Sequence, residues 1–303
     1  MVDSINDRPS TYTSFFQESL ETVPRAISEV LESYSHVPKD AQVKHIVKVR
    51  NAAYKRCPYP CIGNMRFLDF DLSAYPLYQE YVLEPLKRPK QDGEAEPLFL
   101  DLGSCFGQDL RKLVYDGAPV ERLWASDIDQ YLIDMGFELF NDEDRLPKER
   151  FLCPGDLLSD SPEDRLNVLD GKVTILHMTA VFHLFTYEDQ KKVVDRCLRL
   201  LRKDSGGPVL LLGMQVGSVI AGPFLRENMT QEFSHKYRHN VESWKQLWNG
   251  VAQGDEWKER IRILEVKSTL LERNTKPKGS GENPNAGDGQ MKRHIFEVRV
   301  TFH

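Results

Sequence analysis

No stretch of this 303-residue chain comes near the ~18 consecutive apolar residues that a membrane-spanning helix requires. Basic charge is also in short supply. Forty Lys and Arg against 46 Asp and Glu leave a formal net charge of −6, whereas a nucleic-acid groove shows a basic domain or stripe. The small cluster Lys48, Arg50, Lys55 and Arg56 reads as a solvated helix face. Cysteine is sparse and odd in number, at positions 57, 61, 105, 153 and 197. Cys57 and Cys61 form C-x-x-x-C with no second pair or histidine cluster to complete a zinc site. Five isolated free thiols suit a reducing compartment, and a cytoplasmic location is expected. The polar segment 1–17 has no apolar h-region, so no secretory signal is expected. The acids near 141–144 and 160–164 read as solvated loop charge, and no metal is expected. What remains, 40% hydrophobic and 28% charged residues, is the composition of an ordinary soluble globular protein.

One further absence is informative. A dinucleotide fingerprint reads G-x-G-x-x-G, crowding backbone amides around a pyrophosphate. Here the run Leu98-Phe99-Leu100-Asp101-Leu102-Gly103-Ser104-Cys105-Phe106-Gly107 reads D-x-G-x-x-x-G, with Ser104 and Cys105 where the middle glycine would stand. An apolar strand ends in an acid, and a glycine-bearing turn opens a helix. Glycine admits positive φ and lets a ligand approach the backbone. The spacing therefore predicts a nucleotide site for an adenosine compound without phosphates, beyond the carboxyl ends of the strands.

Along the chain, helical spacing is expected around 26–31 and from Asp40 to Tyr54, followed by a proline-rich turn at 57–63 and an aromatic segment over 67–81. The polar stretch 87–97 sets the boundary between an N-terminal helical cap (1–95) and a second domain (96–303). Beyond it, strands are predicted at 98–102, 121–126, 150–153, 172–177 and 208–213, with the clearest helix at 187–203. Two alternating segments at 261–271 and 293–302 close the chain as a hairpin, joined by a Gly/Pro/Asn/Lys-rich link over 274–290. Alternating strand and helix implies a parallel sheet with right-handed crossovers.

These motifs resemble the class I S-adenosylmethionine (SAM)-dependent methyltransferases. The resemblance covers residues 98–215 by motif and the C-terminal domain by element order. It implies an α/β fold: a Rossmann-like seven-stranded methyltransferase sheet, mostly parallel, with an antiparallel last strand. It also implies SAM as cofactor. Asp101, Gly103 and Gly107 match the first motif, against the methionine and ribose part. Asp127, with Ile128 beside it, matches the acid that accepts from both ribose hydroxyls. Asp156 and Leu157, in Gly155-Asp156-Leu157, match the adenine-facing segment. His177, in His177-Met178-Thr179-Ala180-Val181-Phe182-His183, lies near the transferable methyl. Asp101, Asp127 and Asp156 stand 26 and 29 residues apart, each at an expected strand end. Asp129 reads as a surface carboxylate.

A narrower resemblance is carried by Pro58-Tyr59-Pro60-Cys61-Ile62-Gly63, Arg66-Phe67-Leu68, Tyr237-Arg238-His239-Asn240 and Ser243-Trp244. These are similar to fungal secondary-metabolite O-methyltransferases, the meroterpenoid-pathway group above all. That group implies a hydrophobic small-molecule partner: a farnesylated, aromatic-polyketide-derived acid whose carboxylate becomes a methyl ester. Phe67, Phe70, Tyr75, Tyr78, Phe182, Phe185, Phe224, Trp244 and Trp248 are candidate pocket walls, with core packing the simpler reading for at least half. A carboxylate (pKa near ~4) is ionised at neutral pH and needs only orientation; a phenol (pKa near ~10) needs a base. His177, His183 and Arg66 are the candidate catalytic side chains, with Arg238 and His239 as further orienting groups. Three alternatives stay open: a phenol O-methyltransferase, a cofactor-binding protein without turnover, and a nicotinamide reductase, the last disfavoured by the missing glycine. The aromatic N-terminal segment permits a homodimer.

Overall fold

The computed structural model describes residues 16–90, 96–224, 236–272 and 290–303. The first fifteen residues, the core of the 87–97 stretch and most of the 274–290 link lie outside them. A seven-stranded sheet forms the centre: β1 (Phe99–Leu102), β2 (Leu123–Ser126), β3 (Phe151–Leu152), β4 (Ile175–Thr179), β5 (Val209–Ser218), β6 (Ile261–Leu271) and β7 (Met291–Phe302). Their spatial order is β3-β2-β1-β4-β5-β7-β6. The first five are parallel neighbours, while β7 runs antiparallel to β5 on one side and to β6 on the other. This is the expected sheet, with the last strand inserted rather than added at the edge.

β1 is buried at every position because both faces of a parallel sheet are covered. Alternation sends Leu100 and Leu102 to one core and Phe99 to the other. On the first face pack α5 (Tyr187–Leu200) and α6 (Val241–Ala252), through Val193, Val194, Cys197, Leu198, Trp244, Leu247 and Trp248. Both helices are capped locally: the Thr186 hydroxyl accepts from Asp189 N–H, and Asn240 with Ser243 forms a reciprocal capping box. On the second face lie α3 (Gln108–Tyr115) and α4 (Gln130–Phe140), together with Leu72, Tyr78, Val82 and Leu86 from the cap side. Helices α1 (Arg25–Ser33) and α2 (Lys39–Arg56) form a third cluster that closes over Phe106, Leu132, Leu139 and Phe140. The N-terminal helices therefore pack on α4 and on the glycine turn itself.

Three expectations change. β5 runs to Ser218 rather than 213, and its last residues pair with β7 alone because β4 ends at Thr179 opposite Met214. Gln215 and Gly217 interrupt the apolar run, which hid this ledge from a hydrophobicity reading. Arg50 is not on a solvated face: it is buried, donates to the carbonyls of Gln17 and Gly63, and lies over the Phe16 ring. Asp129 is the N-cap of α4, accepting from Tyr131 N–H at 2.9 Å.

Between the sheet and α6 two histidines are buried around Trp244. His239 bonds Gln190 and Ser243, at 2.6 and 2.9 Å, and His294 bonds Gln215 at 3.2 Å. Burial pushes His239 down to about 3 and His294 to about 4. Both stay neutral in the fold at pH values where the unfolded chain protonates them, so each lowers stability as pH falls below about 6.5. His294→Gln should remove one of these contributions. Its urea-stability profile is expected to be flatter than wild type by about 1 kcal/mol per pH unit between pH 6 and 4.5. Parallel profiles would show that His294 is charged in the folded protein.

Candidate cofactor and acceptor site

The chain leaves β1 through Gly103 (φ +72°), Cys105 (φ +52°) and Gly107 (φ +61°) before α3 begins. A Cβ at Gly103 would overlap the Val181 methyl group, so this position is restricted by space as well as by backbone conformation. The turn is drawn against the tip of β2: Gly103 and Ser104 N–H groups donate to the Ser126 carbonyl at 2.8 and 2.9 Å. From behind, Arg111 donates to the Phe106 carbonyl at 2.9 Å.

Asp127, next after β2, is buried, and its two oxygens each accept one backbone N–H, from Cys105 at 2.8 Å and Asp129 at 3.0 Å. Burial raises its pKa, opposed by those amides. Each oxygen keeps a lone pair, so the carboxylate can take two hydroxyl donors side by side. Adjacent Ile128 is 63% exposed, an apolar surface fit to lie against a flat heterocycle. Gly155 N–H donates to the Asp127 carbonyl at 3.0 Å, which brings the Asp156–Leu157 segment beside it. Asp156 holds Leu158 N–H with one oxygen, and Leu157 is buried beneath. Acceptors for a diol, an apolar face and a second acid fit a nucleoside better than a pyrophosphate.

On the second face of the sheet, His177 Nδ1 meets Asp101 Oδ1 at 2.8 Å and its Nε2 meets Thr179 Oγ1 at 2.9 Å. His177 is 2% exposed. Burial lowers its pKa, but Asp101, then Asp109 and Asp71, outweigh that and leave it raised. Asp109, in the first turn of α3, accepts Leu72 N–H at 3.1 Å and is pushed up to about 7 by burial. Arg66 sits beside this group, paired with Asp71 at 2.9 Å and Asp69 at 3.6 Å. His183 lies half-buried on the short turn after β4, its carbonyl accepting from Arg238. His239, locked between Gln190 and Ser243, belongs to the core under α6.

Of the candidate walls, Phe182, Trp244 and Trp248 are fully buried, and Phe67, Phe70 and Tyr78 nearly so. Tyr75, Phe185 and Phe224 keep partial exposure. Sequence reasoning missed Asp71, Asp109, Thr179 and Arg293. Strand alternation from Glu297 through Ile295 would have put Arg293 on the sheet's second face. Asp71 carries no such pattern. The five cysteines are free, and among the described residues no group of three His, Cys, Asp or Glu is placed to hold a metal ion. Among those residues no helix is long and apolar enough to cross a membrane.

Comparison with known proteins agrees with this architecture. The family profile described as "Meroterpenoid methyltransferase N-terminal domain" matches residues 15–68. The O-methyltransferase phiE of a fungal species is 37% identical over 245 residues, 80% of this chain and 77% of that protein. Methyltransferase trt5 of Aspergillus terreus is 33% identical, covering 86% of this chain and 88% of that one. The asnovolin E/chermesin D methyltransferase nvfJ of Aspergillus novofumigatus is 33% identical, covering 83% and 85%. Identity of this level over most of both lengths places the chain in the family of fungal secondary-metabolite methyltransferases that contains phiE, trt5 and nvfJ.

Proposed function

We propose that this methyltransferase forms a methyl ester on the carboxylate of a prenylated, aromatic-polyketide-derived acid in fungal meroterpenoid biosynthesis, with SAM as donor. The relatives supply the chemistry class, and the state of His177 carries the choice of acceptor. Both its ring nitrogens are engaged, by Asp101 and by Thr179, and the ring is buried. A phenol must lose a proton during transfer and would call on a base with a free nitrogen. A carboxylate is already ionised and asks only to be held in line.

In this reading Asp127 accepts from the ribose hydroxyls, Ile128 and Leu157 flank the base, and Asp156 accepts from its amino group. When bound, SAM would supply an electrophilic sulfonium methyl with a neutral thioether as leaving group, and an already ionised carboxylate would need no proton removed. Asp101 and His177 hold one another at the end of β1 and β4, fixing the floor beside the acceptor. Arg66 orients the acid. Partly exposed Tyr75, Phe185 and Phe224 supply apolar contact for the prenyl chain.

The test is a matched panel, a farnesylated dihydroxybenzoic acid against its decarboxylated phenol, incubated with labelled SAM. Label is expected in the acid as a base-labile ester. Label confined to the phenol would overturn the carboxylate reading and favour phenol O-methylation.

A further inference from the structure

Among the described residues, three buried arginines are held by their own chain. Arg50 caps carbonyls, Arg122 donates to the carbonyls of Leu86 and Arg88, and Arg111 is enclosed by Asp142 and three aromatic rings. Two arginines near the acceptor end differ. Arg66, from the cap side, and Arg293, from the start of β7, converge on the single carboxylate of Asp71: Arg66 Nη2 on Oδ2 at 2.9 Å, Arg293 Nη2 on Oδ1 at 3.3 Å. The second hydrogen bond of Arg293 goes from Nε to the Met214 thioether, a weak acceptor for a charged donor. The two side chains stay 41% and 31% exposed.

The position follows from the ledge. Arg293 pairs in register with Val216, beyond the point where β4 stops, and Met214 pairs with Thr179, the residue bonded to His177. Met214, Arg293 and His177 all face the second side of the sheet, by alternation from Leu212, Ile295 and Ile175. Asp71 is close enough to act on the charge of His177. Two guanidiniums meet on the Asp71 carboxylate, with Asp69 a looser partner of Arg66 at 3.6 Å, and each keeps N–H donors that suit a further carboxylate delivered from outside. Arginine presents those donors as a planar fork matched to a carboxylate.

Resting on the carboxylate reading above, we infer that Arg293, together with Arg66, is the seat of the substrate's acidic group, with Asp71 holding the two guanidiniums in place for it. Arg293 is thus a specificity-determining residue. It grips one carboxylate oxygen from the β7 side and leaves the other free to react.

A pair of ligands matched in shape but not in charge tests the seat by equilibrium binding. The farnesylated dihydroxybenzoic acid and its methyl ester differ by one negative charge and are titrated calorimetrically onto wild type, Arg293→Gln, Arg293→Lys and Arg66→Gln, each saturated with S-adenosylhomocysteine. Losing a charge-assisted hydrogen bond should weaken acid binding tenfold or more in both Gln variants. Ester binding should change less than twofold, and Arg293→Lys should recover part of the loss. In turnover, KM for the acid should rise more than kcat falls. Equal losses for acid and ester would mark Arg293 as a structural brace and overturn the seat. So would acid affinity unchanged in soluble, folded Arg293→Gln, or an acid-against-ester split in neither Gln variant. These results leave the carboxylate reading intact if wild type still methylates the acid. Wild type that methylates only phenols overturns that reading and the seat with it.

Discussion

Asp142→Ala should cost about 3–5 kcal/mol of stability, the price of leaving a buried guanidinium without its counter-ion. Arg111 and Asp142 are both fully buried and meet in a two-point contact, Nε to Oδ2 at 2.9 Å and Nη2 to Oδ1 at 3.1 Å. Tyr34 of the cap donates to the same carboxylate at 2.7 Å. The expected fall in melting temperature is roughly 6–15 °C for a protein of this size. The pair also braces the site, because Arg111 reaches from Asp142 to the carbonyls of Phe106 and Gly107 in the glycine turn. An apolar double replacement, Arg111→Met with Asp142→Leu, should recover most of the stability. Cofactor affinity should remain reduced, since nothing then holds the turn from behind. Thermal melts and SAM titrations of the three proteins check both halves. A single variant that melts with wild type would show that the pair contributes nothing net.

Asp127→Ala should raise the Kd for SAM tenfold or more. Two hydrogen bonds to a charged acceptor are lost, about 1.5–3 kcal/mol, and the N–H groups of Cys105 and Asp129 lose their partner. Asp127→Asn keeps one acceptor oxygen and should fall between wild type and alanine. Calorimetry on folded protein measures this directly; an unchanged Kd for Asp127→Ala would take the carboxylate out of the cofactor site.

The candidate cofactor end of this protein was legible because its chemistry is local. Asp101 lies near the end of β1, Asp127 and Asp156 follow β2 and β3, and a parallel sheet brings successive strand ends to one edge. Sequence order alone thus located the glycine turn and the acids after β2 and β3. The proposed acceptor end was less legible, because its groups come from distant parts of the chain. Asp71 and Arg293 lie 222 positions apart, and Asp109 stands in the first turn of α3, where an acid carries no distinguishing pattern. His177 was named from the sequence, but its engagement on both sides by Asp101 and Thr179 was not foreseeable. Asp101 comes from a neighbouring strand, and strand registers are set by packing. Six of the nine candidate wall aromatics are buried, in line with core packing as the simpler reading for at least half of them. Phe182, Trp244 and Trp248 have pocket-like composition, yet α6 turns both tryptophans into the core and Phe182, on the turn after β4, packs against them there.

By itself, then, the sequence determined the strand-and-helix order, the glycine turn after β1 and the acids that follow β2 and β3, because hydrophobic periodicity and turn chemistry act over a few residues. Only the tertiary structure decided that β5 outruns β4 to form a ledge, that Arg50 and Arg111 are buried while Arg66 and Arg293 stay open, and that Asp71 joins the latter two. Long-range pairing of charges depends on which faces the cores bury, and that is settled when sheet, helices and cap close on one another.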